Sequence, residues 1–338
     1  MMPSSGRRVV AVMAGLALAV GFSPPAHASN DPGFDKQWGI QAIGAPAAWA
    51  KSTGVGVRIG IVDTGVDLAH EDLAGQVVES TGCFGTDGNP LKCAGSAQDD
   101  FGHGTHVAGI AAAIKDNGKG VAGVAPGARL VVAKVFKGAT ADQADVIAGI
   151  KWVVDHGAKV VNLSLGGAVF VAAATFGSEL TEGVDYAWQH GAIAVVASGN
   201  DDLFGAGIGS SEYGNMNALV VGATGRDDHV TNYSSPTGSA KWALLAPGGT
   251  GGQTSDDSND IYSTYWSKGK KNAYGYLAGT SMATPHVTGA VALLLAQGLT
   301  KEQAVDRILA TTDPVSCGAN SPHCKGRLNV ARATGAIP

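Results

Sequence analysis

The chain has 338 residues, 15% of them charged, a formal net charge of −5 and 50 glycines. The mild acidity argues against a nucleic-acid binder held by its electrostatic footprint. The glycines are scattered over turns and element ends rather than gathered in one tract, which excludes a low-complexity chain and points to many tight turns.

The N-terminus carries Arg7-Arg8, the apolar run Val9–Phe22 and then Ala26-His27-Ala28. This order of a basic start, a short apolar core and an A-x-A site predicts a signal peptide over 1–28, cleaved after Ala28. The run is too short for a membrane anchor, and no later run reaches spanning length. Residues 29–338 are then one exported domain, more acidic than the full chain because Arg7 and Arg8 are lost. Four cysteines in an exported chain should pair. Local pairing, Cys83 with Cys93 and Cys317 with Cys324, is favoured among three connectivities because each closes a Gly- or Pro-containing loop. A zinc site using Cys324 and His323 is the rival.

In chain order, Val57–Val62 is apolar except for Arg58 and predicts a strand covered on both faces. His103–Ile114 is Ala- and Gly-rich and predicts a helix; Arg129–Val135 predicts a strand. Thr140-x-x-Gln143 resembles a capping box opening a helix to His156, stopped by Gly157. Val160–Leu165 is a strand, Glu179–His190 a helix ended by Gly191, and Ile193–Ser198 a strand. Leu219–Ala223 and Trp242–Leu245 are further strands. Ser281–Gln297 is apolar on nearly every side and predicts a buried helix. Thr300-x-x-Gln303 opens a last one. Gly205–Asn217 and Gly248–Lys271 are polar and read as surface loops. The alternation predicts a single-domain α/β fold: a doubly wound, mostly parallel sheet with helices on both faces.

Three segments carry chemistry: Ile61-Val62-Asp63-Thr64-Gly65-Val66-Asp67, Gly102-His103-Gly104-Thr105-His106 and Gly279-Thr280-Ser281-Met282-Ala283-Thr284-Pro285. Asp63 ends a strand, where active groups of such sheets gather, and a carboxylate there can orient an imidazole. Its plain alternative is a turn cap. His103 opens a helix between two glycines that leave room near the ring; alternatively it is a surface residue, or half of a metal pair with His106. Ser281 is either a nucleophile at a helix start or an N-cap. Pro285 disfavours the cap, because it removes the bond to the Ser281 carbonyl. Asn200, after the strand ending in Ala197-Ser198-Gly199, is an oxyanion donor or a turn residue. Two other patterns fail on context. The esterase-elbow match around Ser281 lacks suitable downstream Asp and His partners. Gly118-x-Gly120-x-x-Gly123 follows a helix rather than a strand.

The order Asp, His, Ser is that of the subtilisin-like serine proteases, and from about Trp38 to Ala331 the chain resembles that family, most of all its secreted, thermitase-like members. The resemblance implies a broad-specificity secreted endopeptidase working through an acyl-enzyme. Asp63 would orient, His103 act as general base and acid, Ser281 attack, and Asn200 help form the oxyanion hole. Asp201, directly after Asn200, is expected near the mouth of the S1 pocket, where it would allow Lys or Arg beside bulky apolar residues. The resemblance implies that Ser164-Leu165-Gly166 and Ala197-Ser198-Gly199 bind polypeptide substrate as two walls of that pocket. It further implies structural Ca²⁺ at Asp31, Asp72, Ile114, Asp116, Asn117 and Val121. Polypeptide substrates are the expected partners of a monomer, with no nucleic acid and no membrane after signal cleavage. Family members usually carry an inhibitory propeptide, whereas only about ten residues separate Ala28 from Trp38. No such domain is expected, so an external inhibitor or folding helper is the alternative. The insert around Cys83 and Cys93 and the loop Val169–Phe176 have no assignment. The competing function is a catalytically silent secreted binding protein of the same fold.

Overall fold

A computed structural model describes residues 29–138, 140–165, 180–200, 213–252 and 257–338. The signal-peptide region, Gly166, the loop Val169–Phe176, Asp201 and most of Gly205–Asn217 lie outside the described residues. Among those described, no helix is long and apolar enough to cross a membrane.

Twelve strands are present among the described residues: β1 (Arg58–Asp63), β2 (Val77–Gly82), β3 (Arg129–Lys134), β4 (Phe136–Lys137), β5 (Thr140–Ala141), β6 (Val160–Leu163), β7 (Ile193–Ala197), β8 (Ala218–Thr224), β9 (Ala243–Pro247), β10 (Ile261–Ser267), β11 (Lys270–Leu277) and β12 (Cys324–Arg327). Eight of them form one sheet in the order β12-β9-β8-β7-β6-β1-β3-β2. Every pairing in it is parallel. Side chains alternate between faces along each strand. Ile59, Ile61, Leu130, Val132, Ile193 and Val195 enter one core with the helices His103–Ala112 and Thr280–Ala296. Val62, Val131, Ala133, Val161, Ala194 and Val196 enter a second core with the helices Gln143–Asp155 and Thr181–Gln189. Both faces are covered, which is why these strands read as unbroken apolar runs. The predicted doubly wound α/β architecture is the one observed.

Three local expectations change. Thr140 does not cap a helix: it pairs with Lys137 in a small ribbon, and the Asp142 side chain accepts from the Ala144 N–H instead. Asp is as good a cap as Thr, and it stands one residue before the first helical turn. The segment Gly248–Lys271 is not all loop, since its second half is strand β10, paired antiparallel with β11 across the two-residue turn Lys268-Gly269. The Gly, Ser and Asp content of its first half obscured the β-prone stretch Ile261-Tyr262-Ser263-Thr264-Tyr265-Trp266. The sixth strand stops at Leu163, leaving Ser164 and Leu165 beyond it. The capping box of Thr300 and Gln303 is present in full. Both disulfides are local, Cys83–Cys93 and Cys317–Cys324. The first staples the insert after β2, which docks on the helix Gln143–Asp155 where Asp145 accepts from the Gly85 and Thr86 N–H groups.

Two buried imidazoles tie this core to pH. His106 Nε2 lies 3.0 Å from the Ile261 carbonyl, and its Nδ1 is buried with no partner among the described residues. His286 Nδ1 lies 2.8 Å from the Met282 carbonyl, and its Nε2 is likewise unpartnered. A second ring proton would therefore bring an uncompensated charge into the core. Burial depresses His106 to about 3 and His286 to about 4. Both values lie below the unfolded value near 6.5. The stability contributed by the neutral rings is complete above about pH 6.5 and drains away as pH falls towards the folded values. Thermal unfolding of the protein is expected to show Tm falling steadily from pH 6.5 to 4. The fall should be shallower in His286→Asn.

Candidate active site

The strand order reverses between β1 and its neighbours: the chain visits β2 and β3 on one side, then crosses to β6, β7, β8 and β9 on the other. Such a switch opens a crevice at the carboxyl ends of the strands. Asp63 is the last residue of β1, Ser164 and Leu165 follow β6, and Ser198, Gly199 and Asn200 follow β7.

Asp63 is completely buried, and its Oδ1 accepts from the Thr64 N–H at 2.7 Å. His103 Nδ1 lies 2.7 Å from the same oxygen. A carboxylate only accepts, so Nδ1 carries the ring proton and Nε2 is left basic. Burial opposes charging of His103, but the Asp63 charge and hydrogen bond, with Asp99 behind them, outweigh it and raise its pKa above the ordinary value. The glycines beside His103 serve packing. A Cβ on Gly102 (φ 104°) would stand 2.6 Å from the Tyr265 ring, and one on Gly104 2.1 Å from the Gly65 carbonyl. The expected free space for substrate beside the ring is therefore filled by the protein itself.

Asp99 escaped the sequence reading. It is buried and accepts from Thr64 Oγ1, the Phe101, Gly102 and Thr105 N–H groups and Thr105 Oγ1. It therefore fixes the turn that delivers His103. The detectable signal was an Asp placed to accept from N–H groups two and three residues on.

Ser281 is 4% exposed and is the second residue of its helix, not its cap; Gly279 precedes the helix. Pro285 lies inside the first turns, and the Ser281 carbonyl it releases accepts from Ser164 Oγ at 2.8 Å. Ser164 Oγ in turn accepts from Asn162 Nδ2 at 2.9 Å. The Ser281 hydroxyl lies 3.4 Å from the Ser164 carbonyl. The proline thus exchanges a helical bond for one to the segment following β6, so that segment is tied to the start of the Ser281 helix.

Asn200 Oδ1 accepts from the Thr280 N–H at 2.9 Å and from Thr280 Oγ1 at 3.0 Å, which turns Nδ2 the other way. A Cβ on Gly279, whose φ is 147°, would stand 3.6 Å from Asn200 Nδ2, Asn200 Oδ1 and the Ser281 nitrogen, so the Asn200 amide lies beside the start of the Ser281 helix. As an oxyanion donor, the role the resemblance implies, Asn200 would act through this amide. Asn200→Ala should lower kcat about 10²–10³-fold with KM nearly unchanged, the scale seen for such a donor in a subtilisin. Initial-rate kinetics on a peptide anilide check this.

Ser164, Leu165, Ala197 and Ser198 are all buried at about 1% exposure. Ser198 Oγ donates to the Ser235 carbonyl, and Tyr213 Oη to the Ala197 carbonyl. Away from the crevice, Asp31 and Asp72 converge on the loop from Ile114 to Val121. Asp31 accepts from the N–H groups of Asp116, Asn117 and Gly118. Asp72 accepts from Asn117 Nδ2 at 2.8 Å, the Val121 N–H at 2.7 Å and Tyr274 Oη at 3.1 Å. Burial pushes the Asp72 carboxyl up despite these bonds. The Asp116 carboxylate instead faces Ser29, Asn30 and Lys115. Among the described residues, no three His, Cys, Asp or Glu side chains cluster as a metal-binding group.

The profile of the subtilase family matches residues 54–335. The chain belongs to the subtilase family. This subtilase, a serine endopeptidase by family, is 38% identical over 311 residues to thermitase of Thermoactinomyces vulgaris, covering 91% of this chain and 99% of that one. It is 34% identical over 304 residues to subtilisin DY of Bacillus licheniformis, covering 88% and 97%. Among solved structures, the subtilase superposes on a protease of Pseudoalteromonas arctica PAMC 21717 with a TM-score of 0.76 at 29% identity, covering 91% of this chain and 99% of that one.

Proposed function

We propose that this subtilase is a secreted, broad-specificity endopeptidase using Ser281, His103 and Asp63 as its triad and Asn200 as an oxyanion donor. The observation that carries this is the 2.7 Å contact of His103 Nδ1 with buried Asp63, which leaves Nε2 as the basic nitrogen. In the first step His103 Nε2 takes the Ser281 hydroxyl proton as Oγ attacks the scissile carbonyl. The carbonyl oxygen becomes an oxyanion between Asn200 Nδ2 and the Ser281 N–H. His103 then returns the proton to the leaving amine, and water repeats the sequence on the acyl-enzyme. An extended peptide would add as a strand along Ser164-Leu165-Gly166, with Ala197-Ser198-Gly199 as the opposite wall. Backbone pairing gives affinity with little side-chain choice.

A fluorophosphonate probe tests the reading. One adduct is expected, located at Ser281 by peptide mapping, together with hydrolysis of unfolded protein substrates. A folded protein that takes no label would overturn it in favour of a silent binding protein.

We propose structural Ca²⁺ at the cluster of Asp31, Asp72 and the loop from Ile114 to Val121. Asp31 and Asp72 are buried carboxylates bridged by Asn117, which donates its N–H to one and its Nδ2 to the other. Hard oxygen donors of this kind suit Ca²⁺, with the Ile114 and Val121 carbonyls completing the set. Bound there, the ion supplies positive charge to a carboxylate that burial otherwise disfavours. Added Ca²⁺ should raise Tm by several degrees, as a ligand of the folded state does. Asp72→Ala should remove that increment. An equal rise in the variant would place the ion elsewhere.

A further inference from the structure

The segment 234–238 lies between the segment Ser198-Gly199-Asn200 after β7 and the C-terminal disulfide loop. On one side, the Ser235 N–H donates to the Gly199 carbonyl at 3.0 Å, Ser198 Oγ donates to the Ser235 carbonyl at 2.9 Å, and Asn200 bridges Ser234 in antiparallel fashion. On the other side, the Thr237 N–H donates to Ser321 Oγ at 3.0 Å and the Gly238 N–H to the Asn320 carbonyl at 3.0 Å. Ser321 and Asn320 lie inside the loop closed by Cys317–Cys324, and Cys324 begins strand β12 on the main sheet. The two segments are not packed solid: a cleft of about 190 Å³, lined by Ser234, Ser235, Thr237, Leu245 and Cys317, separates them. The hydrogen bonds at Thr237 and Gly238 therefore span that gap. Polar links of this kind transmit position only as well as their anchors are held, and the disulfide restricts the anchoring loop.

We propose that the Cys317–Cys324 loop is a positioning element for Asn200, holding the oxyanion donor through Ser321, Thr237 and Ser235. The proposal rests on the triad and oxyanion reading above. The loop touches no reacting atom; it sets how tightly the amide of Asn200 is held when charge develops on the substrate oxygen. An amide held more loosely weakens the transition state and not the ground state, so the cost falls on kcat.

The test compares Cys317→Ser/Cys324→Ser with the parent, with rates normalised to active sites counted by titration. About a tenfold loss of kcat is expected, a part of the 10²–10³ for losing the donor altogether. KM should stay within about twofold and the acid limb of the pH profile should not move. Ser321→Ala, which removes one hydroxyl, should show the same pattern more weakly and serves if the double variant fails to fold. Cys83→Ser/Cys93→Ser should keep its kcat per site. In an Asn200→Ala background, removing the C-terminal disulfide should cost nothing further in kcat, since the coupled group is gone. An unchanged kcat in the disulfide variant and in Ser321→Ala overturns the proposal. So does a loss that persists without Asn200, or an equal loss in the Cys83→Ser/Cys93→Ser control. A parent that neither labels nor hydrolyses peptides overturns the triad reading itself, and is told apart because it needs no variant.

Discussion

Ser281→Ala is expected to lower kcat on the order of 10⁶-fold, a scale carried over from nucleophile loss in subtilisin. The fold should survive. Ser281 is nearly buried, yet the contacts that hold its backbone use its carbonyl, which accepts from Ser164 Oγ, and not its hydroxyl. The hydroxyl's contact among the described residues is a long one, 3.4 Å to the Ser164 carbonyl, so losing it sacrifices little stability. Tm of the variant should therefore lie within a few degrees of the parent while fluorophosphonate labelling disappears. Residual hydrolysis above the uncatalysed rate should remain, because Asn200 and the helix N–H groups still stabilise an oxyanion formed by attack of water. A variant retaining a tenth of parental kcat would show that Ser281 is not the nucleophile.

Asp63→Asn is expected to cost about 10⁴ in kcat near neutral pH, the scale known for the equivalent exchange in a serine-protease triad. The reason is tautomeric. Asp63 is fully buried and accepts at Oδ1 from both the Thr64 N–H and the His103 ring. Placing an amide there offers a donor, so the ring turns its unprotonated nitrogen to it and the proton moves to Nε2, where a base is needed. The pH profile carries a second signature. His103 is active when neutral, and its pKa is raised mainly because the Asp63 charge outweighs burial. Activity of the parent should fall as pH drops through that raised value. In Asp63→Asn the acid limb should move to lower pH, since burial then acts with less opposition. Rate–pH profiles of kcat/KM on both proteins would check the direction; an unmoved limb would mean that Asp63 does not set the His103 charge.

Much of this was legible in the amino-acid order. The apolar stretches at Val57–Val62, interrupted by Arg58 alone, and Ile193–Ser198 read as strands covered on both faces, and their alternation with amphipathic stretches specified a doubly wound sheet. Asp63, His103, Ser281 and Asn200 stood out because each sits at an element end, where side chains leave the regular hydrogen-bond pattern. Pro285 even told that the Ser281 carbonyl would need a new partner, since a proline inside a helix removes a donor whatever surrounds it.

What replaced that donor was not legible. Ser164 lies 117 residues from Ser281, and only the crossing of β6 beside β1 brings them together. The same holds for the Thr64 hydroxyl that reaches Asp99 from 35 residues away, the β10–β11 hairpin that takes up the space beside Gly102, and the loop 317–324 leaning on the segment behind Asn200. Local order determined which residues could do chemistry, because backbone geometry and missing donors act over a few positions. Only the tertiary structure decided which partners hold them, because hydrogen bonds between distant segments depend on strand order and register, and these emerge when both faces of the sheet are buried together.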